Sequence, residues 1–329
     1  MRFFRCLLGY LLALVATAAV LYRLRPDDDD FKAAFAEASR CNVLIVGPSY
    51  IKVGLYPDVF AAEAQALGHP LHVCKVARSA LRGYEVMYDL EHLLERPWPK
   101  LRFVAVDLSL SAGNLGFDRD NWFTPRVVEW HTWEALTWVY RYYRDEKYDR
   151  KELARLEVAH LQHAAMNYLG VGRIGRLLTG VRLTEHLTGA ERGEQTPKEV
   201  DRVRRKAKLA APSEAEHDAA VRKLVHFKAK VRDKKLSADD DWPRQLEPMI
   251  HAAGFQPVFL YSPVYDPLTP PRLKRPRKRA LAFLDFDDPE RYPTLYTYDV
   301  RGRTSHLNQR GAVLYSKLLA REFVRLDSR

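Results

Sequence analysis

The sequence predicts an α/β fold built on a parallel sheet. Short apolar segments rich in Val, Ile and Phe alternate with segments in which apolar residues recur every three or four positions. Turn residues follow the first apolar segment directly, in the order Gly47-Pro48-Ser49. Alternation of this kind is typical of parallel strands that are joined by right-handed helical crossovers.

The first part of this sheet is predicted before residue 110. Strands are expected at residues 43–46, 71–76 and 103–108, and helices at residues 57–67 and 84–94. The first strand is only four apolar residues long, as expected of a short buried strand. Its carboxyl end is where open α/β sheets bind ligands.

The alternation then stops, and helix-like periodicity continues without a convincing strand. We assign residues 127–245 to a helical insertion, with a charged stretch at 191–235 in its second part. Aromatic density in its first part favours a cap that packs on a core over a binding site. These aromatic residues are Trp130, Trp133, Trp138, Tyr140, Tyr142 and Tyr143. The core domain is then formed by residues 31–126 and 246–329.

Sheet character returns near the end of the chain. A helix at 242–253 is followed by Gly254, a typical helix C-cap, and by a strand at 257–261. A basic, proline-containing stretch precedes a last short strand at 280–283. A helix at 307–323 completes the predicted fold.

The N-terminus predicts a membrane anchor within residues 1–30. Residues 6–22 carry no charge, and as a helix they would span about 26 Å, close to the thickness of a bilayer core. A cleaved signal peptide is the alternative, because Ala16-Thr17-Ala18 resembles a signal-peptidase site. Either interpretation exports the remaining chain to the periplasm or the extracellular space, and we favour a single-pass anchor that is not cleaved.

Charge and cysteine content restrict the possible partners. The net charge is +11, but the basic residues are spread over several segments, so nucleic acid is not expected as a partner. No Cys or His grouping has structural-zinc spacing, and neither a metal nor another cofactor is expected. Because Cys41 and Cys74 fall at different heights of two predicted strands, we expect them to be free thiols, as is Cys6.

Two stretches predict chemistry. Ser49 follows the first strand and is the candidate nucleophile; a serine that only closes a turn is the alternative. His306 lies directly before the last helix and is the candidate general base. A histidine at such a loop can face the ends of the strands, provided that Leu307 anchors the loop in the core.

Taken together, the two stretches resemble the SGNH or GDSL-like hydrolase superfamily. "LIVGPSYIKVGLYPDVF" is similar to the family's first block, and "SHLNQRGAVLYSKLLAREF" is similar to its last block. The resemblance covers about residues 40–126 and 246–326, and is strongest to membrane-anchored, exported members associated with polysaccharide acylation. It implies a three-layer, flavodoxin-like parallel-sheet core.

The resemblance also implies where an oxyanion hole would form. An amide near Ser79 or Ala80 takes the place of the family's second block, with Gly83 as the alternative. Asn121 takes the place of the third block, with Asn114 as the alternative. A turn or helix cap is the structural alternative for either Asn. Arg126 and His131 are candidate substrate-binding residues, with packing or surface roles as the alternative.

One position departs from the family pattern. The family has an aspartate three residues before the histidine, and Arg303 occupies that position here. Arginine has no acceptor for the imidazole N–H, and its charge disfavours the imidazolium. Asp299 is the candidate that would reach around the loop instead, and a backbone carbonyl that orients the ring is the alternative.

These features predict an exported esterase or O-acyltransferase that uses a Ser-His mechanism. The expected partner is an acylated carbohydrate or an envelope glycan. The alternative is a non-catalytic binding or scaffold protein of polysaccharide assembly, which Arg303 favours. Nucleotide binding has little support, because the first strand-helix turn lacks a phosphate-binding glycine motif.

Overall fold

The structure is a computed structural model in which most of the predicted core is described. The described ranges are 29–78, 81, 83–109, 125–145, 150–169, 213–231, 242–264, 282–301 and 306–328, with four isolated positions before residue 29. The predicted membrane anchor therefore lies almost entirely outside the described residues. None of the helices in the described ranges is long and apolar enough to cross a membrane.

Five parallel strands form one sheet, which confirms the predicted α/β class. The strands follow the order β2-β1-β3-β4-β5 across the sheet. They are β1 (Val43–Gly47), β2 (Val73–Ala77), β3 (Phe103–Asp107), β4 (Gln256–Tyr261) and β5 (Ala282–Asp285). Strand β5 extends two residues beyond the predicted segment 280–283. Strands β1 and β3 are completely buried, β2 and β4 each have one residue that is not buried, and β5 is buried in its second half, as expected for parallel strands with helices on their faces.

Helices occupy the predicted positions between the strands. In the first part of the chain they are α1 (Asp29–Ala36), α2 (Ser49–Gly54), α3 (Pro57–Ala66) and α4 (Gly83–Leu94). Later helices are α5 (Pro125–Trp130), α6 (Trp133–Asp145), α7 (Arg150–Tyr168), α8 (Glu214–Val231), α9 (Trp242–Ala252) and α10 (Gln309–Asp327). Helices α1 and α2 are additions to the prediction, and α2 begins at Ser49, directly after Pro48.

The sheet is covered by helices, with alternate residues of each strand in separate environments. Val43 and Ile45 of β1 belong to one apolar cluster with residues of α3 and α10, including Phe60 and Phe323. Helices α4 and α9 contact each other, and they contact β1 and β4 respectively. The arrangement is consistent with a three-layer α/β core.

Helices α5, α6 and α7 form a compact unit of their own, whereas α8 belongs to the unit that contains the sheet. The predicted insertion included α8. Leu224 and Val221 of α8 pack into the main apolar cluster, and His217 contacts Tyr298 edge-to-face. This apolar face explains why α8 groups with the sheet.

A disulfide joins Cys41 and Cys74, so the prediction of free thiols at these positions is wrong. The prediction compared heights along two straight strands. Cys41, however, precedes β1 in a turn that closes on α1, where its N–H bonds to the Glu37 carbonyl. That turn brings its Cα to 5.8 Å from the Cα of Cys74, a typical disulfide separation.

Replacing both cysteines by alanine is expected to lower the free energy of unfolding by about 3–4 kcal/mol, because the bond closes a loop between residues 33 positions apart. Urea unfolding of the variant and of the wild type, each with and without reductant, measures the effect. Reductant should destabilise the wild type only. Equal stability of all four samples would contradict a structural disulfide.

Candidate active site

Ser49 lies at the carboxyl end of β1 and is the first residue of α2, directly after the N-cap residue Pro48. Strand β1 has β2 on one side and β3 on the other. The chain thus crosses to the opposite side of β1 when it passes from β2 to β3. Such a switch point opens a crevice at the strand ends, where α/β proteins bind ligands.

Close packing fixes the turn that presents Ser49. A Cβ atom added at Gly47 would lie 2.6 Å from Cγ1 of Ile51 and 2.9 Å from Cβ of Asp107, so only glycine fits without a shift. At the other end of α2, Lys75 Nζ donates hydrogen bonds to the carbonyls of Lys52 and Leu55. These contacts hold both ends of the short helix.

His306 reaches this turn from the other end of the chain. Its Nε2 lies 2.8 Å from Oγ of Ser49, a hydrogen-bond distance, although 257 residues separate the two. Leu307 is buried in the main apolar cluster and anchors the loop, as predicted. The structure therefore brings together the two residues that the sequence selected as nucleophile and base.

Asn308 holds the His306 loop against α10. It is the N-cap of α10, and its Oδ1 accepts a hydrogen bond from the N–H of Gly311 at 3.0 Å. Its Nδ2 donates to the carbonyls of Asp299 and Arg301. One side chain thus joins the start of α10 to the segment before His306.

A buried cation lies close to the imidazole. Burial, followed by the charge of Arg301, lowers the pKa of His306 below its ordinary 6.5. The Arg301 guanidinium donates to the carbonyls of Leu295 and Pro263, and it covers the ring of Tyr296 at 4.6 Å. His306 is therefore favoured in its neutral form, the form that can accept a proton from Ser49.

Asp299 is placed away from the imidazole. Its side chain is half exposed, and Oδ2 lies 2.7 Å from Nη1 of Arg310. A hydrogen bond with Thr297, together with the charge of Arg310, lowers the pKa of Asp299. Because the described contacts of this carboxylate run to Arg310 and Thr297, the geometry gives no support to Asp299 as the partner of His306.

His131 lies in the interior of the helical unit. It is fully buried, its Nδ1 lies 2.6 Å from the Val127 carbonyl, and its Nε2 lies 2.7 Å from Nδ1 of His160. Asn167 donates to its carbonyl, and the His163 ring packs 4.9 Å away. This placement corresponds to the packing role that the sequence left open beside substrate binding.

The other predicted site residues cannot be placed. Ser79, Asn121 and Arg303 lie outside the described residues, as does Asn114. Arg126 is in α5, but its side chain is also outside the described part. Their predicted roles stay predictions.

Sequence reasoning missed two polar groups near the strand ends. Asp107 ends β3 fully buried; it accepts hydrogen bonds from the Ser262 hydroxyl at 2.5 Å and the Ser109 N–H at 2.8 Å, and burial raises its pKa. A carboxylate at the carboxyl end of an apolar strand could have indicated a polar group near the site. Arg301 had no such signal, since an arginine in a basic loop is ordinarily exposed.

No protein-family model, curated protein or solved structure matches the chain. Within the described ranges, no group of three or more His, Cys, Asp or Glu side chains is arranged to hold a metal ion. The arrangement of Ser49 and His306 is suited to nucleophilic chemistry, because a serine hydroxyl becomes reactive when a neighbouring imidazole can take its proton.

Gly311→Ala is expected to lower the free energy of unfolding by about 2–3 kcal/mol, because the added Cβ would overlap the carbonyl oxygen of Val300. Gly54→Ala is the matched control. Its Cβ would make ordinary contacts with the Tyr315 ring at 3.6 Å and with Leu307 at 3.7 Å, so stability should be unchanged or raised by up to about 1 kcal/mol. Urea unfolding measures both. Equal effects at the two glycines would contradict the close approach at Gly311.

Acid is expected to destabilise the helical unit through His160. Burial, with a smaller effect of His163, lowers its pKa from 6.5 to about 3. The unfolded chain thus binds a proton near pH 6.5 and the folded chain only near pH 3. Stability should be complete above pH 6.5 and should fall by up to about 4–5 kcal/mol as the pH decreases toward 3.

Denaturant unfolding between pH 7 and pH 4, followed by helical circular dichroism, measures this loss. His160→Asn is the control variant, since asparagine can keep a donor near Nε2 of His131 but cannot titrate in this range. A variant that loses stability with acid as steeply as the wild type would exclude His160 as the cause.

Proposed function

We propose that the protein is an SGNH-like serine esterase or O-acyltransferase with a flavodoxin-like core. The observation that carries the proposal is the 2.8 Å separation of Ser49 Oγ and His306 Nε2 at the switch point of the sheet. The strand order 2-1-3-4-5 supports the flavodoxin-like assignment. Both residues also fall in the two sequence blocks that resemble this superfamily.

The proposed reaction has two halves. Ser49 Oγ attacks the acyl carbonyl while His306 Nε2 takes the hydroxyl proton, and His306 then returns that proton to the leaving alcohol. This leaves an acyl ester on Ser49. Water completes hydrolysis in the second half, or a sugar hydroxyl completes transfer, with His306 again as the base.

The backbone at Ser49 supports a role in stabilising the oxyanion. Ser49 is the first residue of α2, and the first N–H groups of a helix have no intrahelical partner. An N–H that points out of this end is suited to donate to the oxygen that becomes negative when Ser49 attacks.

The proposed substrate is an O-acyl ester on an envelope glycan or related carbohydrate, and the proposed location is outside the cytoplasm, with a membrane anchor at the N-terminus. The substrate class follows from the resemblance to exported members associated with polysaccharide acylation. The Cys41–Cys74 disulfide supports export, because such bonds persist in oxidising compartments.

A binding or scaffold protein with the same fold is the second candidate. It is favoured by the partners of Asp299, which are Arg310 and Thr297, and by the buried cation Arg301 beside His306. Loss of an orienting carboxylate lowers the turnover of a triad enzyme by about 10⁴-fold, yet leaves measurable catalysis.

Labelling of the full-length chain with a fluorophosphonate probe distinguishes the two candidates. Wild type, Ser49→Ala and His306→Ala are compared, and Ser328→Ala is the control for an exposed serine. We expect covalent labelling at Ser49, detected by mass spectrometry of the labelled peptide. The signal should disappear in Ser49→Ala and fall at least 100-fold in His306→Ala, because the probe needs an activated hydroxyl.

An unlabelled wild type with the unfolding behaviour of a native protein would favour the binding role. Labelling of wild type that persists in Ser49→Ala would place the reactive group elsewhere and overturn the assignment of Ser49. Where Ser49 is labelled, release of acetate from acetylated sugars is the assay that follows.

A further inference from the structure

The ring of Tyr50 stacks on the ring of His306. Their centroids are 4.9 Å apart and their planes differ by 28°. Tyr50 directly follows Ser49 in α2, so one short helix supplies both the hydroxyl at Nε2 and an aromatic ring over the face of the imidazole. Both side chains are partly exposed, as groups at a substrate crevice need to be.

Proton transfer from Ser49 requires that a positive charge on the imidazole be stabilised. When His306 takes the serine proton, it becomes a cation beside the buried cation Arg301. Asp299, the candidate carboxylate, pairs with Arg310 instead. The face of an aromatic ring carries negative potential and attracts a cation within about 6 Å of its centroid.

We propose that Tyr50 is a positioning residue for His306: its ring holds the imidazole plane with Nε2 toward Ser49 and stabilises the imidazolium during proton transfer. The role of Tyr50 in catalysis rests on the proposed function. The contact between the rings, however, is a property of the folded protein and can be tested without turnover.

Three substitutions separate the effect of the aromatic face from the other effects of the Tyr50 side chain. Tyr50→Phe keeps the ring and removes only the hydroxyl. The charge of that hydroxyl group, when ionised, raises the pKa of Arg301. Tyr50→Leu keeps apolar cover over His306 and removes the aromatic face. Tyr50→Trp offers a stronger face to a cation.

The experiment combines two measurements on the full-length chain. Proton NMR titration of the imidazole reports the pKa of His306, with His306→Ala used to assign its signal. The rate of fluorophosphonate labelling is measured against pH for the same proteins. Ser49, Tyr50 and Arg301 are among the neighbours of the imidazole that influence these readings.

We expect Tyr50→Leu to lower the pKa of His306, since the imidazolium loses the aromatic face while burial and the charge of Arg301 remain. Labelling at the optimum pH should be roughly threefold to thirtyfold slower. Tyr50→Phe should resemble the wild type in both measurements, and Tyr50→Trp should raise the pKa of His306.

Equal pKa values in the wild type, Leu and Trp variants would overturn the inference. If Tyr50→Leu does not fold, the comparison of Trp with wild type still decides it. Failure of the proposed function looks different: the wild type would then not be labelled at all, while the titration would still report whether Tyr50 acts on His306.

Discussion

The packing of α10 against α2 and α3 is the interaction on which the rest of the structure depends. Tyr315, Leu319 and Phe323 of α10 are fully buried in the apolar cluster that also contains residues of β1 and β4. The hydroxyl of Ser316 adds a hydrogen bond from the N–H of Tyr56, which lies between α2 and α3. Burial of this apolar face is the main driving force that packs the last helix, α10, against α2 and α3.

The same packing determines the position of His306. Gly311 lets the first turn of α10 approach the Val300 carbonyl so closely that a methyl group would not fit. Asn308 then joins that turn to the carbonyls of Asp299 and Arg301. Stability and the geometry at Ser49 are therefore linked, because the contacts that place His306 are also contacts of the core.

Local patterns were sufficient to predict the sheet and most of the helices around it, and together with the resemblance of two sequence blocks they selected Ser49 and His306, whose side chains the structure brings within 2.8 Å. Apolar runs identified the strands, and turn residues after β1 and before α10 identified the two loops. The Cys41–Cys74 bond was missed because strand register ignores the turn before β1. The packing of α8 into the main apolar cluster and the burial of Arg301 were not predicted, because both depend on contacts between residues far apart in sequence.

The buried guanidinium of Arg301 changes the resting state of His306 more than it changes the proposed reaction. At rest, protonation of the imidazole adds a positive charge without an accompanying oxyanion, and the charge of Arg301 opposes this protonation. During attack by Ser49, the imidazolium forms together with an oxyanion. Arg301 repels the first and attracts the second, so the two effects partly cancel.

The surroundings of Arg301 reduce its effect further. Asp287 and the hydrogen-bonded Tyr296 lie close to the guanidinium, and the charge of Asp287 partly compensates it. A proposed Ser-His site of this kind depends on more than an orienting carboxylate. It needs a fixed ring orientation and modest stabilisation of the cation, and both are properties that an aromatic face can supply. The buried cation Arg301 beside His306 is thus compatible with the proposed Ser-His pair.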